Sequence, residues 1–286
     1  MLAYLNECGE NRGVMNDAVP LMTRKLVQML SLWGVDVAFA ALCWGVLIAA
    51  HLHVTMLTVG PLLVLAAAVW LVVMGGRITA AFLGRNEDGV VIYRRYLMPL
   101  VPLWVAVFAA TLWLLCYHVG QSLLYYAILP LLFLGAGGCP LLRRMKDYTL
   151  LCSALAFAVA CAAPAYYYSY SMSPLQVVCS KPVLLLAGVF FLFFAERSRS
   201  LPTAGAAAIA QTMCLVALFG VCVYSAANEP LYMRSFYVTL CMAVAVLHGL
   251  FRLRSRLPER RWYAFGWGLM ALPAVLGSWL FAPEAW

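Results

Sequence analysis

A succession of long apolar runs, nearly free of charge, repeats from Trp33 to Phe281 and limits what this chain can fold into. An α-helix needs about 20 apolar residues to cross the hydrocarbon of a bilayer. Charge clusters and Pro/Gly punctuation divide the runs into spans near Trp33–Leu52, Leu57–Ala80, Leu97–Cys116, Leu123–Leu142, Tyr148–Tyr166, Val183–Ala195, Ala206–Ala226, Phe236–Phe251 and Trp262–Phe281. The composition agrees: of 286 residues, 65% are hydrophobic and 10% charged, against about 45–50% and 25% in ordinary soluble domains. That leaves too little polar surface to face water. The runs also lack the in–out alternation of a transmembrane β-barrel. Helices, which satisfy their own backbone hydrogen bonds in lipid, must therefore carry the chain across. The expectation is an all-α, polytopic integral membrane protein of about nine transmembrane helices, with residues 33–286 forming one helical-bundle domain. The sixth span is the weakest, because Lys181 and Pro182 shorten its apolar run unless it starts near Pro174. Counts of eight and ten stay open.

Residues 1–32 read as a cytoplasmic tail. Glu7, Glu10 and Asp17 beside Arg12, Arg24 and Lys25, with no apolar core or small-residue cleavage site, do not form a secretory signal. Pro20 to Leu32 reads as a short amphipathic or interfacial helix. Cytoplasmic loops hold Lys and Arg in excess, and the spans sort the nineteen basic residues sharply. Arg12, Arg24 and Lys25 fall on one side, as do Arg77, Arg85, Arg94 and Arg95 after span two. Arg143, Arg144 and Lys146 follow span four, Arg197 and Arg199 span six, and Arg252, Arg254, Arg256, Arg260 and Arg261 span eight. Lys181 and Arg234 alone are left for the opposite face. This distribution predicts the N-terminus inside and the C-terminus outside. Trp262 and Trp267 at one end of the last span, and Trp279 and Trp286 at the other, fit interfacial aromatic belts. The net charge of +8 is accounted for by topology and points to anionic lipid headgroups. No base-stacking module suggests nucleic acid.

Apart from Cys8, the ten cysteines lie in or beside the spans, with no CxxC pair and no His at metal-ligand spacing. They read as small apolar packing residues. Glu87, Asp88, Asp147, Glu196 and Glu259 share the basic face with Arg77, Arg94, Arg95, Arg143, Arg144 and Lys146. Such a collar suits a phosphate-bearing headgroup, although positive-inside loops are basic in every membrane protein. Asp36 stands about one turn inside the first span, where a carboxylate is costly and commonly faces a cavity or partner. It is the polar cavity candidate, with snorkelling to the interface, or a bond to Trp33 or a backbone group, as the plain alternatives. His51, His53, His118 and the Tyr166–Tyr167–Tyr168–Tyr170 cluster fall at outer span ends, where tyrosines commonly form a girdle. His248, alone inside span eight, reads as a packing residue.

Nine spans with polar motifs at the cytoplasmic ends of spans two, four and six resemble the UbiA-type intramembrane prenyltransferases. The run Trp70-Leu-Val-Val-Met-Gly-Gly-Arg77-Ile-Thr-Ala80 is similar to the family's first aspartate motif, and Ile92-Tyr-Arg-Arg-Tyr96 to a basic-aromatic run of a bacterial branch. Pro140-Leu-Leu-Arg143-Arg144-Met-Lys146 resembles its Pro-x-x-Lys-Arg segment, and Phe194-Ala-Glu196-Arg-Ser-Arg-Ser-Leu201-Pro202 a shortened second motif. The likeness spans most of the chain from Trp33 onward. It implies a UbiA-like bundle in a bacterial inner (plasma) membrane, with an isoprenoid or prenyl diphosphate as ligand. The family's first motif sets oxygen ligands at i, i+4 and i+8 to hold Mg²⁺ on a diphosphate. With Arg77 setting the register, those positions are Val72, Gly76 and Ala80, none of which can ligate a metal.

Arg77, Arg143, Arg144 and Lys146 are thus the candidate phosphate ligands, and Glu196, Glu87, Asp88 and Asp147 a possible metal or polar site. The favoured expectation is a UbiA-like protein that binds an isoprenoid diphosphate or lipid phosphate in a central cavity with lost or altered catalysis. An active Mg²⁺-dependent prenyltransferase acting on an aromatic or lipid acceptor is one alternative. A transporter or scaffold subunit is the other.

Overall fold

The computed structural model describes residues 33–51, 59–83, 93, 97–119, 122–138, 146–168, 174–197, 206–253 and 259–281. The described residues are almost entirely helical. In chain order they form α1 (Val35–His51), α2 (Val59–Phe82), α3 (Leu97–Leu114), α4 (Ser122–Gly138), α5 (Lys146–Tyr168), α6 (Pro174–Val178), α7 (Lys181–Arg197), α8 (Ala206–Asn228), α9 (Leu231–Leu253) and α10 (Glu259–Phe281). A π-helical turn, Leu115–Val119, extends α3. Setting aside the five-residue α6, nine helices of 17 to 24 residues are described, each overlying one of the nine apolar runs. Among the described residues, five segments are long and apolar enough to cross a membrane: Val59–Phe82, Met98–Tyr117, Asp147–Ala165, Ile209–Asn228 and Arg234–Arg252. Val35–Ala50 is apolar but shorter. The interfacial helix expected over Pro20 to Leu32 lies outside the described residues.

The difficult sixth span resolves into α6, a turn and α7. The Ser180 amide and hydroxyl both donate to the Val177 carbonyl, at 3.1 and 2.8 Å, and the Ser180 carbonyl accepts the Leu184 amide at 3.0 Å. Ser180 therefore ends one helix and opens the next. Lys181 and Pro182 occupy the first turn of α7, where a missing proline N–H costs nothing. Prolines inside α3, α4, α5 and α10 (Pro102, Pro130, Pro164 and Pro273) are of the kind that membrane helices tolerate.

Hydroxyls within the helices bond back to their own backbone. Thr79, Thr111, Ser153, Ser225, Thr239 and Ser278 each donate to the carbonyl four residues earlier, at 2.7–2.8 Å. This satisfies a polar group without water. Indole N–H groups instead join helices. Trp44 donates to the Met270 carbonyl (3.1 Å), tying α1 to α10, and Trp104 donates to the Leu71 carbonyl (2.8 Å), tying α3 to α2.

Helices α1, α5, α7, α9 and α10 form the inner bundle, while α3 and α8 lie outside it. The apolar window of α5 is 61% buried, and those of α3 and α8 are 17% buried. Alanines of α1 and α5, including Ala40, Ala41, Ala154, Ala158, Ala162 and Ala165, are fully buried, so these backbones approach closely. An aromatic cluster fills the middle. Phe190 lies 4.3 Å from Phe157, 5.9 Å from Trp267 and 6.1 Å from Trp44, measured between ring centroids. Such pairs contribute about 0.5–1.5 kcal/mol each beyond their buried area.

Candidate functional site

The site begins at the turn that launches α1. Gly34 has φ +68°, a left-handed conformation that a side chain would strain, and a Cβ there would stand 3.0 Å from the Val73 Cγ1 and 3.6 Å from the Arg77 Nη1. Glycine thus lets the chain lie directly on the α2 face that carries Val73 and Arg77. Trp70, one turn before Val73, fastens the same face by donating to the Trp33 carbonyl at 2.8 Å. Asp36 falls in the first turn of α1, where its Oδ1 accepts the Val37 amide at 2.9 Å. A carboxylate suits the positive end of a helix.

Arg77 turns from this corner toward Tyr93. Its Nη1 donates to the Tyr93 hydroxyl at 2.9 Å, and its guanidinium carbon lies 5.7 Å from the ring centroid. Tyr93 is buried against Met74, Ile78, Ala81 and Leu100 between α2 and α3. Burial pushes its phenol above the ordinary value of 10.0, the Arg77 charge and hydrogen bond oppose that, and the Asp36 carboxylate raises it further. Arg77 and Asp36 thus both act on the Tyr93 phenol. Residues from three segments of sequence converge at the end of α2.

Glu196 stands one residue from the end of α7 and is 1% exposed. A buried carboxylate at the negative end of a helix is doubly costly. Asp147, by contrast, is exposed in the first turn of α5. Lys146 begins α5. Arg143, Arg144, Glu87 and Asp88 lie outside the described residues. Of the expected site residues, Arg77 and Asp36 are thus brought together. Tyr93 joins them although only its membership of the basic-aromatic Ile92–Tyr96 run marked it in sequence.

Val72, Gly76 and Ala80 fall on one stripe of α2. Leu65 on that stripe is buried and Val69 packs against the core, whereas Val72 is 40% exposed and Gly76 is open to its surroundings. Val72, Gly76 and Ala80 offer no oxygen. Among the described residues, no three His, Cys, Asp or Glu side chains gather as metal ligands would. The described donor set does not fit Mg²⁺. It offers a cation beside an apolar, open strip. No protein-family model, curated protein or solved structure matches the chain.

Proposed function

We propose that this is a UbiA-like integral membrane protein of nine spans that holds an isoprenoid diphosphate or lipid phosphate at the Arg77 end without metal-assisted prenyl transfer. The observation that carries the reading is the Arg77 corner. A guanidinium held by the Tyr93 hydroxyl comes from the same stretch of α2 as the exposed Val72 and Gly76, the positions at which the resembling enzymes place metal ligands. Guanidinium matches phosphate in charge and geometry and needs no bridging cation. The apolar stripe suits a polyisoprenoid or acyl chain. Arg143, Arg144 and Lys146 would add charge at the same end, which the basic-residue distribution assigns to the cytoplasm of a bacterial inner membrane. Support for nine spans comes from the coincidence of long helices with apolar runs and from that charge distribution.

The test uses purified full-length protein in detergent micelles with geranylgeranyl diphosphate as probe and calorimetry as readout. Binding that persists in EDTA and weakens in both Arg77→Ala and the Arg143→Ala/Arg144→Ala double variant is expected. A phosphatidic acid competitor separates a lipid phosphate from an isoprenoid one. Prenylated product from the radiolabelled diphosphate and an acceptor, dependent on Mg²⁺, would favour the enzyme reading. Absence of both binding and product would leave a transporter or scaffold.

A further inference from the structure

Helix α9 carries a stripe that its neighbours leave partly open. Arg234, Val238, Cys241, Ala245, His248 and Arg252 recur every three or four residues along one side of it, and each is exposed or half-buried. Arg234 and Arg252 stand 18 residues apart, a whole number of turns at 3.6 residues each, so they end the stripe on the same side. Their separation along the axis is about 27 Å, close to the roughly 30 Å hydrocarbon thickness of a bilayer. The two arginines are used differently. Arg234 donates to the carbonyls of Glu229 (3.2 Å) and Ala227 (3.5 Å) at the end of α8. Arg252, in the last turn of α9, is exposed and meets no hydrogen-bonding or ionic partner among the described residues. His248, one turn before it, is half-buried and likewise meets none among them. Ala245 is exposed, and a Cβ on Gly249 would have nothing within 4 Å. The helix surface one to two turns inside Arg252 is therefore left unfilled.

We propose that Arg252 and His248 bind the phosphate of an anionic phospholipid whose acyl chain lies along the α9 stripe. The site is separate from the Arg77 corner, because α9 packs against α1, α7, α8 and α10 whereas Arg77 lies on α2. A guanidinium presents a fork of donors that matches phosphate oxygens. The imidazole of His248 adds an N–H donor one turn deeper, toward the level of the lipid's ester linkages. A lipid, in place of a soluble phosphate, follows from what continues below the cation. The stripe is apolar through Ala245, Cys241 and Val238, and only a ligand with a hydrocarbon chain covers those residues while its phosphate meets Arg252. Net negative charge follows from the headgroup. A zwitterionic lipid brings its own ammonium, which Arg252 repels, whereas an anionic one brings none. One cation near a membrane surface is worth about a fivefold preference for anionic lipid. In the proposed orientation the ligand belongs to the cytoplasmic leaflet, but the site does not depend on that orientation.

The experiment places the full chain in phosphatidylcholine nanodiscs doped with a trace of phosphatidylglycerol that carries a diazirine on one acyl chain. After irradiation, adducts are mapped by mass spectrometry. The expected result is labelling of the α9 stripe between Val238 and Gly249, several-fold stronger than with a phosphatidylcholine bearing the same diazirine. Arg252→Ala should lower it by about fivefold, Arg252→Lys should retain most of it, and His248→Ala should lower it less. Unlabelled phosphatidylglycerol should compete, while excess inorganic phosphate should not. Labelling should persist in Arg77→Ala, so that loss of the diphosphate site and loss of this one are told apart. Equal labelling by the two lipids, or a yield unchanged in a folded Arg252→Ala protein, would overturn the proposal. So would displacement by inorganic phosphate, which would put a soluble anion at Arg252. The comparison of the two lipids on the wild type decides the question even if a variant fails to fold.

Discussion

The two ends of the bundle use positive charge differently. At one end, Lys181 pairs with Glu229 at 3.0 Å, with side chains 45% and 27% exposed, and its ammonium lies 5.4 Å from the Tyr237 ring centroid. Arg234 donates to the carbonyl of Glu229 at 3.2 Å, and Asn228 Nδ2 to the Tyr224 carbonyl at 2.8 Å, so both side chains serve carbonyls at the C-terminal end of α8. Cations there complete a helix terminus and pin a turn. At the other end, Arg77 is directed by a buried tyrosine, beside a left-handed glycine and a carboxylate in a helix's first turn. The contrast separates a fastener from a candidate receptor. Lys181 and Arg234 are met by exposed partners at a helix terminus, whereas Arg77 is aimed by a buried tyrosine.

The largest expected effect lies at Arg77. A hydrogen-bonded contact to a charged group contributes about 1.5–3 kcal/mol, so Arg77→Ala should weaken geranylgeranyl diphosphate binding by roughly 10- to 100-fold at 25 °C. Calorimetry measures it, with Arg77→Lys recovering part of the loss. Lys181→Met should leave the affinity unchanged. Equal losses in the two variants would erase the distinction between the ends.

Shape rather than charge should dominate stability in the Lys181 half. A Cβ on Gly277 of α10 would collide with the Thr239 hydroxyl of α9. Overpacking of this kind costs roughly 1–3 kcal/mol. Gly277→Ala should lower the midpoint of denaturation in micelles, and the added change Thr239→Ala should recover much of the loss. A Gly277→Ala protein as stable as the wild type would mean that α9 and α10 can separate freely there.

The long helices were legible in the sequence because apolar runs of about 20 residues, punctuated by charge, carry their own boundaries. The start of α7 was less so. Lys181 and Pro182 look like breakers until Ser180 is seen to cap the turn before them. Which residues meet at a site was mostly hidden. Asp36, Arg77 and Tyr93 are joined by the left-handed turn at Gly34 and by the rotation of α2, and neither leaves a pattern in a single chain. Gly34 is the glycine whose conformation matters to the corner.

Tyr93 offers a smaller and more selective probe of the Arg77 end. Its phenol is held above 10.0 by burial, so the folded protein retains a proton that the unfolded chain releases as pH rises. Stability associated with this group is present below the unfolded value and declines as pH rises through the folded one. Thermal melts of the wild type should therefore fall above about pH 10, and Tyr93→Phe should flatten part of that decline. Near neutral pH the substitution should cost about 1 kcal/mol through the lost hydrogen bond. An alkaline decline identical in both proteins would place the titrating group elsewhere.

The smallest effect belongs to the fastener. Exposed ion pairs are worth about 0.2–1 kcal/mol and are screened by salt, and Lys181 and Glu229 are both partly exposed. Lys181→Met should accordingly lower the denaturation midpoint only slightly in dilute buffer, with the difference shrinking in 0.5 M NaCl. The aliphatic stem would still cover Tyr237, which limits the loss further. If the variant were instead destabilised as much as Gly277→Ala, and equally at both salt concentrations, Lys181 would be a buried anchor of the bundle. The two ends would then differ in partners but not in kind, and exposure would no longer separate fastener from receptor.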